Sequence, residues 1–116
     1  MQFSDYQKKS RRTALYPDQG NNYIYPTLGL AGESGEVAEK IKKIIRDKEG
    51  KVSHEDKLAI EKELGDVLWY VSQLSTELNI DLEDVVTTNL EKLQSRLKKG
   101  TLSGSGDNRE CKYLIK

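Results

Sequence analysis

Leu28-Gly29-Leu30-Ala31-Gly32-Glu33-Ser34-Gly35-Glu36-Val37-Ala38-Glu39-Lys40 is the stretch whose reading decides the fold. Glu33 and Glu36 are three apart, so on a helix they stand one turn from each other, with Leu30 and Val37 one turn to either side of Glu33 on the same stripe. A carboxylate is thereby set into the margin of an apolar face, an unfavourable place for a negative charge unless a cation or a basic group neutralises it. Glu63-Leu64-Gly65-Asp66 repeats the arrangement at the same spacing and again beside apolar neighbours. Both pairs fall in the interiors of the two longest helical segments, and both have a glycine next to an acid. Asp81/Asp84 and Asp107/Glu110, at a helix start and in the tail, are ordinary by comparison. The two interior pairs read as facing halves of one metal site. Four carboxylates gathered together raise one another's pKa, a hard divalent cation removes the conflict, and all-oxygen ligands favour Mg²⁺ or Mn²⁺ over zinc.

Working outward, the apolar periodicity around the first pair predicts a helix from about Thr27 to Lys48. Its stripe is Leu30, Val37, Ile41 and Ile44, with Ala31, Ala38 and Ile45, and Gly50 ends it. Glycines at 29, 32 and 35 each cost such a helix roughly 1 kcal/mol relative to alanine, so something is expected to approach its backbone closely. Ser53-His54-Glu55-Asp56 reads as a capping box with Asp in place of Glu, opening a helix to about Asn79 whose stripe is Ile60, Leu64, Val67, Val71, Leu74 and Leu78. Trp69 projects from the far side of that helix, which suggests a subunit interface or a contact with the first helix. Asp81-Leu82-Glu83-Asp84 caps a further helix reaching Lys99. Beside its stripe of Leu82, Val86, Leu90, Leu93 and Leu97 run Asn89, Lys92, Arg96 and Lys99, either a solvated basic end or a rail for phosphate. Upstream, residues 4–16 carry a weaker helical pattern with Ser4 as a cap and Pro17 as a stop, and 17–22 form a loop. Tyr23 and Tyr25 then either pack under that loop or stack on a ligand base. Beyond Gly100 a loop-like tail follows.

With 116 residues the chain is expected to be one all-α domain able to bury a single core, with oligomerisation adding to it. Nineteen basic and nineteen acidic residues cancel, so the charge balance favours neither a nucleic-acid polymer nor an anionic membrane as partner. No apolar run nears the roughly 20 residues of a membrane span, and Met1-Gln2-Phe3-Ser4-Asp5 lacks the features of a signal peptide, so a soluble cytoplasmic protein is expected. The single cysteine, Cys111, builds neither an internal disulfide nor a cysteine-based zinc site. A ferritin-like di-iron centre needs Glu-x-x-His, and His54, the one histidine, sits in a capping turn. A non-catalytic helical interaction module with salt-bridged acids is the alternative that spacing leaves open.

The residues quoted so far resemble a known family. Gly32-Glu33-Ser34-Gly35-Glu36 and Glu63-Leu64-Gly65-Asp66-Val67-Leu68 are similar to the paired Glu-x-x-Glu and Glu-x-x-Asp motifs of the MazG-like nucleoside triphosphate pyrophosphohydrolases, the all-α NTP pyrophosphatases related to MazG and dimeric dUTPase. The likeness continues through Asn89-Leu90-Glu91-Lys92-Leu93 to Arg96 and into Gly104-Ser105-Gly106-Asp107-Asn108-Arg109, covering most of residues 28–109. It implies a helical bundle of four to five helices, completed by assembly into dimers or tetramers. It also implies Mg²⁺ dependence, with Mn²⁺ as a substitute, and hydrolysis of a nucleoside triphosphate to the monophosphate and pyrophosphate. On the same grounds Glu33, Glu36, Glu63 and Asp66 take the catalytic metal-ligand positions. Lys92 and Arg96 match the phosphate-contacting pair, and Asn89 matches a polar contact to the nucleotide.

Overall fold

The computed structural model describes residues 1–100, and the expected tail elements (Gly104 to Arg109, Cys111 and Tyr113) lie outside them. Four helices follow one another: α1 (Phe3–Arg11), α2 (Ile24–Lys48), α3 (His54–Glu77) and α4 (Leu82–Lys99). Among the described residues there is no strand, so the protein is all-α as expected. By compactness the chain divides into two units, one spanning Met1–Leu82 and a second that begins at Glu83.

In the first unit α3 is the shared element, packing against α2 and against α1. The turn between α2 and α3 is short. Glu49 adopts the left-handed conformation at φ 55° and Gly50 at φ 77°, and Gly50 N–H returns to the Ile44 carbonyl, closing the end of α2. Ser53 then opens α3 as the sequence predicts, its hydroxyl accepting from Asp56 N–H while the Asp56 carboxylate accepts from Ser53 N–H. So short a link makes the two helices antiparallel. Their register is marked by Lys48 on Asp56 at 2.9 Å and Lys40 on Glu63 at 3.5 Å.

The α1–α3 pair is held differently, by a ladder of polar side chains. Gln7 Nε2 donates to Thr76 Oγ1, the Ser10 and Ser72 hydroxyls meet at 2.9 Å, and Trp69 Nε1 donates to Thr13 Oγ1 at 2.8 Å. Each rung advances three residues through α1 and the segment just after it and retreats about one turn on α3, which is antiparallel packing. Gln7 also accepts from Leu82 N–H through its side-chain oxygen, tying the end of the unit back to its start. Trp69 therefore meets the α1 side of its own chain and gives no support to a subunit interface.

Three expectations need correction. First, α1 runs from Phe3 to Arg11 rather than 4 to 16, and its capping box is Gln2 with Asp5, not Ser4. The Arg11 side chain reaches forward to Tyr16, and the segment between them leaves the helix to bury Ala14 and Tyr16. Second, α2 begins at Ile24, because Pro26 within its first turn needs no amide partner there. Third, the broad apolar stripes are only partly covered. Ile44 is buried, but Ile45 is 64 % exposed, Ile41 and Leu64 are exposed, and α3 buries Ser72, Gln73 and Ser75 instead. A stripe spanning more than half a helix circumference is wider than the one neighbour that each side of α2 or α3 receives in this unit.

Candidate metal centre

Glu33 comes from α2 and Glu63 and Asp66 from α3, all from the middle of the antiparallel pair where the helices face each other. One carboxylate oxygen from each lies within 4.8 Å of the others. Two oxygens on a single ion stand at most about twice a metal–oxygen bond apart, about 4 Å for Mg²⁺. A small inward rotation of the three side chains therefore suffices to share a cation. The donor set is entirely carboxylate, which suits a hard divalent ion and suits zinc poorly. Glu36, one turn beyond Glu33, is exposed and stands outside this group of three.

Negative charge predominates in the cluster among the described residues. Partial burial raises the Glu33 pKa above 4.5. The adjoining Glu63 carboxyl raises it further, as do the charges of Asp66, Glu63 and Glu36. Lys40 Nζ lies 3.5 Å from a Glu63 oxygen and is itself about one-third exposed. At that distance and exposure it offsets little of the repulsion.

Aromatic residues border the acids on the side toward the start of α2. Gly29 lies one turn before Glu33, and a Cβ there would overlap the Tyr70 ring, so the glycine is what lets α3 bring Tyr70 against the α2 backbone. Gly32 and Gly35 meet nothing at the corresponding position, so the expected close approach is confined to Gly29. Burial raises the Tyr70 pKa, and a hydrogen bond with Tyr25 and the charges of Glu33 and Asp66 raise it further. On the α1 side, Tyr6 is raised by burial and then by Asp66. Lys40, Tyr6 and Tyr70 were not among the residues the sequence singled out for the site, whereas Tyr25 was read as either packing or stacking on a ligand base. For Tyr70 a signal existed, since Asp66 and Tyr70 are four apart and project from one side of α3.

Residues 25–101 match the MazG nucleotide pyrophosphohydrolase domain family. The chain belongs to that family. This MazG-family protein is also 48 % identical over 109 residues, covering 90 % of its own length and 96 % of the relative's, to the "Gene 37 protein" of Mycobacterium phage L5, whose name carries no activity. No solved structure matches it. The family match spans both acid pairs and all of α4. On α4, Asn89, Lys92 and Arg96 follow one another at helical spacing, Asn89 exposed and Arg96 buried, within the second unit. No helix among the described residues is long and apolar enough to cross a membrane.

Proposed function

We propose that this MazG-family protein is a Mg²⁺-dependent nucleoside triphosphate pyrophosphohydrolase. It would cleave (d)NTPs to the monophosphate and pyrophosphate as cytoplasmic housekeeping of the nucleotide pool, with Mn²⁺ able to replace Mg²⁺. The observation that carries the reading is the approach of Glu33, Glu63 and Asp66 oxygens to within 4.8 Å across two helices. Family membership gives that cluster its substrate class.

In this reading Glu33, Glu63 and Asp66 hold the cation, which supplies neutralisation of the triphosphate and Lewis acidity at the scissile phosphorus. Glu36, outside the convergent three yet one turn away, is assigned the role of accepting the proton of the attacking water. Asn89, Lys92 and Arg96 are assigned to the triphosphate from the family motif, and the two cations offset charge developing on the departing pyrophosphate. A single catalytic domain over residues 1–116 and a homodimeric or homotetrameric state belong to the same proposal. Leu28 and Ile45, 68 % and 64 % exposed on α2, support assembly because a second subunit would cover them.

A panel of common and modified NTPs with Mg²⁺, scored separately for pyrophosphate and orthophosphate, tests the reaction. Pyrophosphate is expected, with Glu63→Gln lowering turnover about a hundredfold or more at unchanged helical content. Orthophosphate as the product would overturn the assigned bond. No turnover and no Mg²⁺ or Mn²⁺ binding would leave the non-catalytic interaction module.

A further inference from the structure

Tyr16 and Tyr25 stack with centroids 4.8 Å apart and rings 16° from parallel. The pair is unusually well fixed. Tyr16 is 7 % exposed, and its hydroxyl donates to Glu77 Oε2 at 2.5 Å and accepts from Arg11 Nη1 at 2.6 Å. Glu77 in turn accepts from the backbone N–H groups of Gly20 and Asn22, and Asn22 Oδ1 accepts from Tyr25 N–H at 3.0 Å. Trp69 stands edge-on to Tyr16 at 6.5 Å. Tyr25 is thus anchored through its backbone and through the ring beneath it, with the Tyr70 ring 6.3 Å away and tilted by 50°, yet it remains 42 % exposed.

Packing alone does not account for this arrangement. A tyrosine used only to fill space is buried, whereas here a buried network holds a ring residue that is itself 42 % exposed. The ring also has a definite relation to the acids. Tyr25, Gly29 and Glu33 are successive fourth residues of α2, and Tyr70 closes the gap between them. Tyr25 and Glu33 are eight residues, about 12 Å, apart along the helix axis. That is the scale of a nucleoside monophosphate lying along α2 with its phosphate at the carboxylates.

We infer that Tyr25, backed by Tyr16, is the surface on which the base of the nucleotide stacks. This rests on the pyrophosphohydrolase reading and adds to it a subsite: a flat aromatic ring recognised through its π-face, with the Tyr25 and Tyr70 hydroxyls at its edge. Stacking against an aromatic face discriminates weakly between bases. The subsite is therefore suited to a protein that accepts several nucleotides, with selectivity left to the hydroxyls at the rim.

Trp69 is the chain's one tryptophan, and its edge contact with Tyr16 makes its emission a reporter of this cluster. Wild-type protein is titrated, in Mn²⁺, with the four common nucleoside monophosphates and with ribose 5-phosphate, which has the phosphate and no base. The monophosphates are expected to change Trp69 emission with at least tenfold tighter binding than ribose 5-phosphate. Tyr25→Leu is expected to weaken monophosphate binding about tenfold or more, leaving ribose 5-phosphate and Mn²⁺ affinities, helical content and solution mass unchanged; Tyr25→Phe restores most of the loss. Equal affinity of wild type and Tyr25→Leu for every monophosphate overturns the proposal. A change of mass in Tyr25→Leu also overturns it, since the open face would then belong to subunit contact. Pyrophosphate release is followed in parallel: if wild type releases it and Tyr25→Leu has the same KM, only the stacking surface fails. If wild type releases none from any triphosphate, the hydrolase reading fails instead.

Discussion

α3 carries two groups of carboxylates that the protein treats in opposite ways. At its C-terminal end Glu77 has no side-chain exposure, an Arg11 guanidinium 2.8 Å away, and hydrogen bonds from Tyr16 and from the N–H groups of Gly20 and Asn22. Burial alone would raise its pKa, but those donors together outweigh burial and hold it at about 2. Three turns earlier, Glu63 and Asp66 face Glu33, and burial, the adjoining Glu63 carboxyl and neighbouring negative charges raise the Glu33 pKa. One carboxylate is satisfied by four donors of its own chain, whereas among the described residues the other group has a single long ion pair, Lys40 on Glu63 at 3.5 Å. A buried acid is thus a structural part or a binding site according to whether its donors are already present.

The largest effect expected from this contrast is on stability. Glu77→Ala removes the acceptor shared by α1, the 17–22 loop and Tyr16, leaves Arg11 and two backbone amides without their partner, and should cost about 3 kcal/mol in a urea unfolding experiment. A loss below about 1 kcal/mol would mean that water replaces the network without penalty.

Glu63→Gln should act in the opposite sense on the metal-free protein. Removing one of three crowded negative charges is expected to leave stability unchanged or raise it by about 1 kcal/mol, because the Lys40 contact it gives up is long and part-exposed. Destabilisation comparable to that of Glu77→Ala would erase the distinction between the two groups.

The pH dependence separates them with the smallest but most specific signature. Glu77 titrates near 4.5 unfolded and at about 2 folded, so its contribution is intact above 4.5 and is lost as pH falls toward 2. Glu33 has a folded pKa above 4.5, so its ionisation costs the metal-free fold stability as pH rises through that value, and the cost vanishes below 4.5. Urea midpoints between pH 3 and 7 should therefore show a shallower acid-side loss in Glu77→Gln, and in Glu33→Gln a smaller decline on the neutral side.

Much of this was legible in the chain itself. Periodicity with caps located the end of α2 and the bounds of α3 and α4 to within a residue or two, because the glycine at position 50 and Ser53 with Asp56 carry specific backbone chemistry. The three converging acids were legible for the same reason: turn spacing beside an apolar stripe puts them on facing sides of two adjacent helices. The Glu77 network was not. Ser72, Gln73, Ser75, Thr76 and Glu77 lie off the apolar stripe of α3, and only their match to Gln7, Ser10 and Arg11, more than sixty residues away, covers them. Hydropathy registers apolar burial and misses an interface made of paired polar groups. Tyr25 lies between these cases, since both packing and stacking on a base were readable and the structure shows the ring stacked on Tyr16 with the residue 42 % exposed.

The central claim is that Glu33, Glu63 and Asp66 converge on a divalent cation, and Mn²⁺ binding to the metal-free protein, followed by electron paramagnetic resonance, tests it most directly. Wild type should bind, and Glu33→Gln, Glu63→Gln and Asp66→Asn should each weaken binding about tenfold or more. Glu39→Gln, at an exposed acid already paired with Lys42 at 2.9 Å, should not. Mn²⁺ affinity that is the same in wild type and in all three cluster variants would contradict the account.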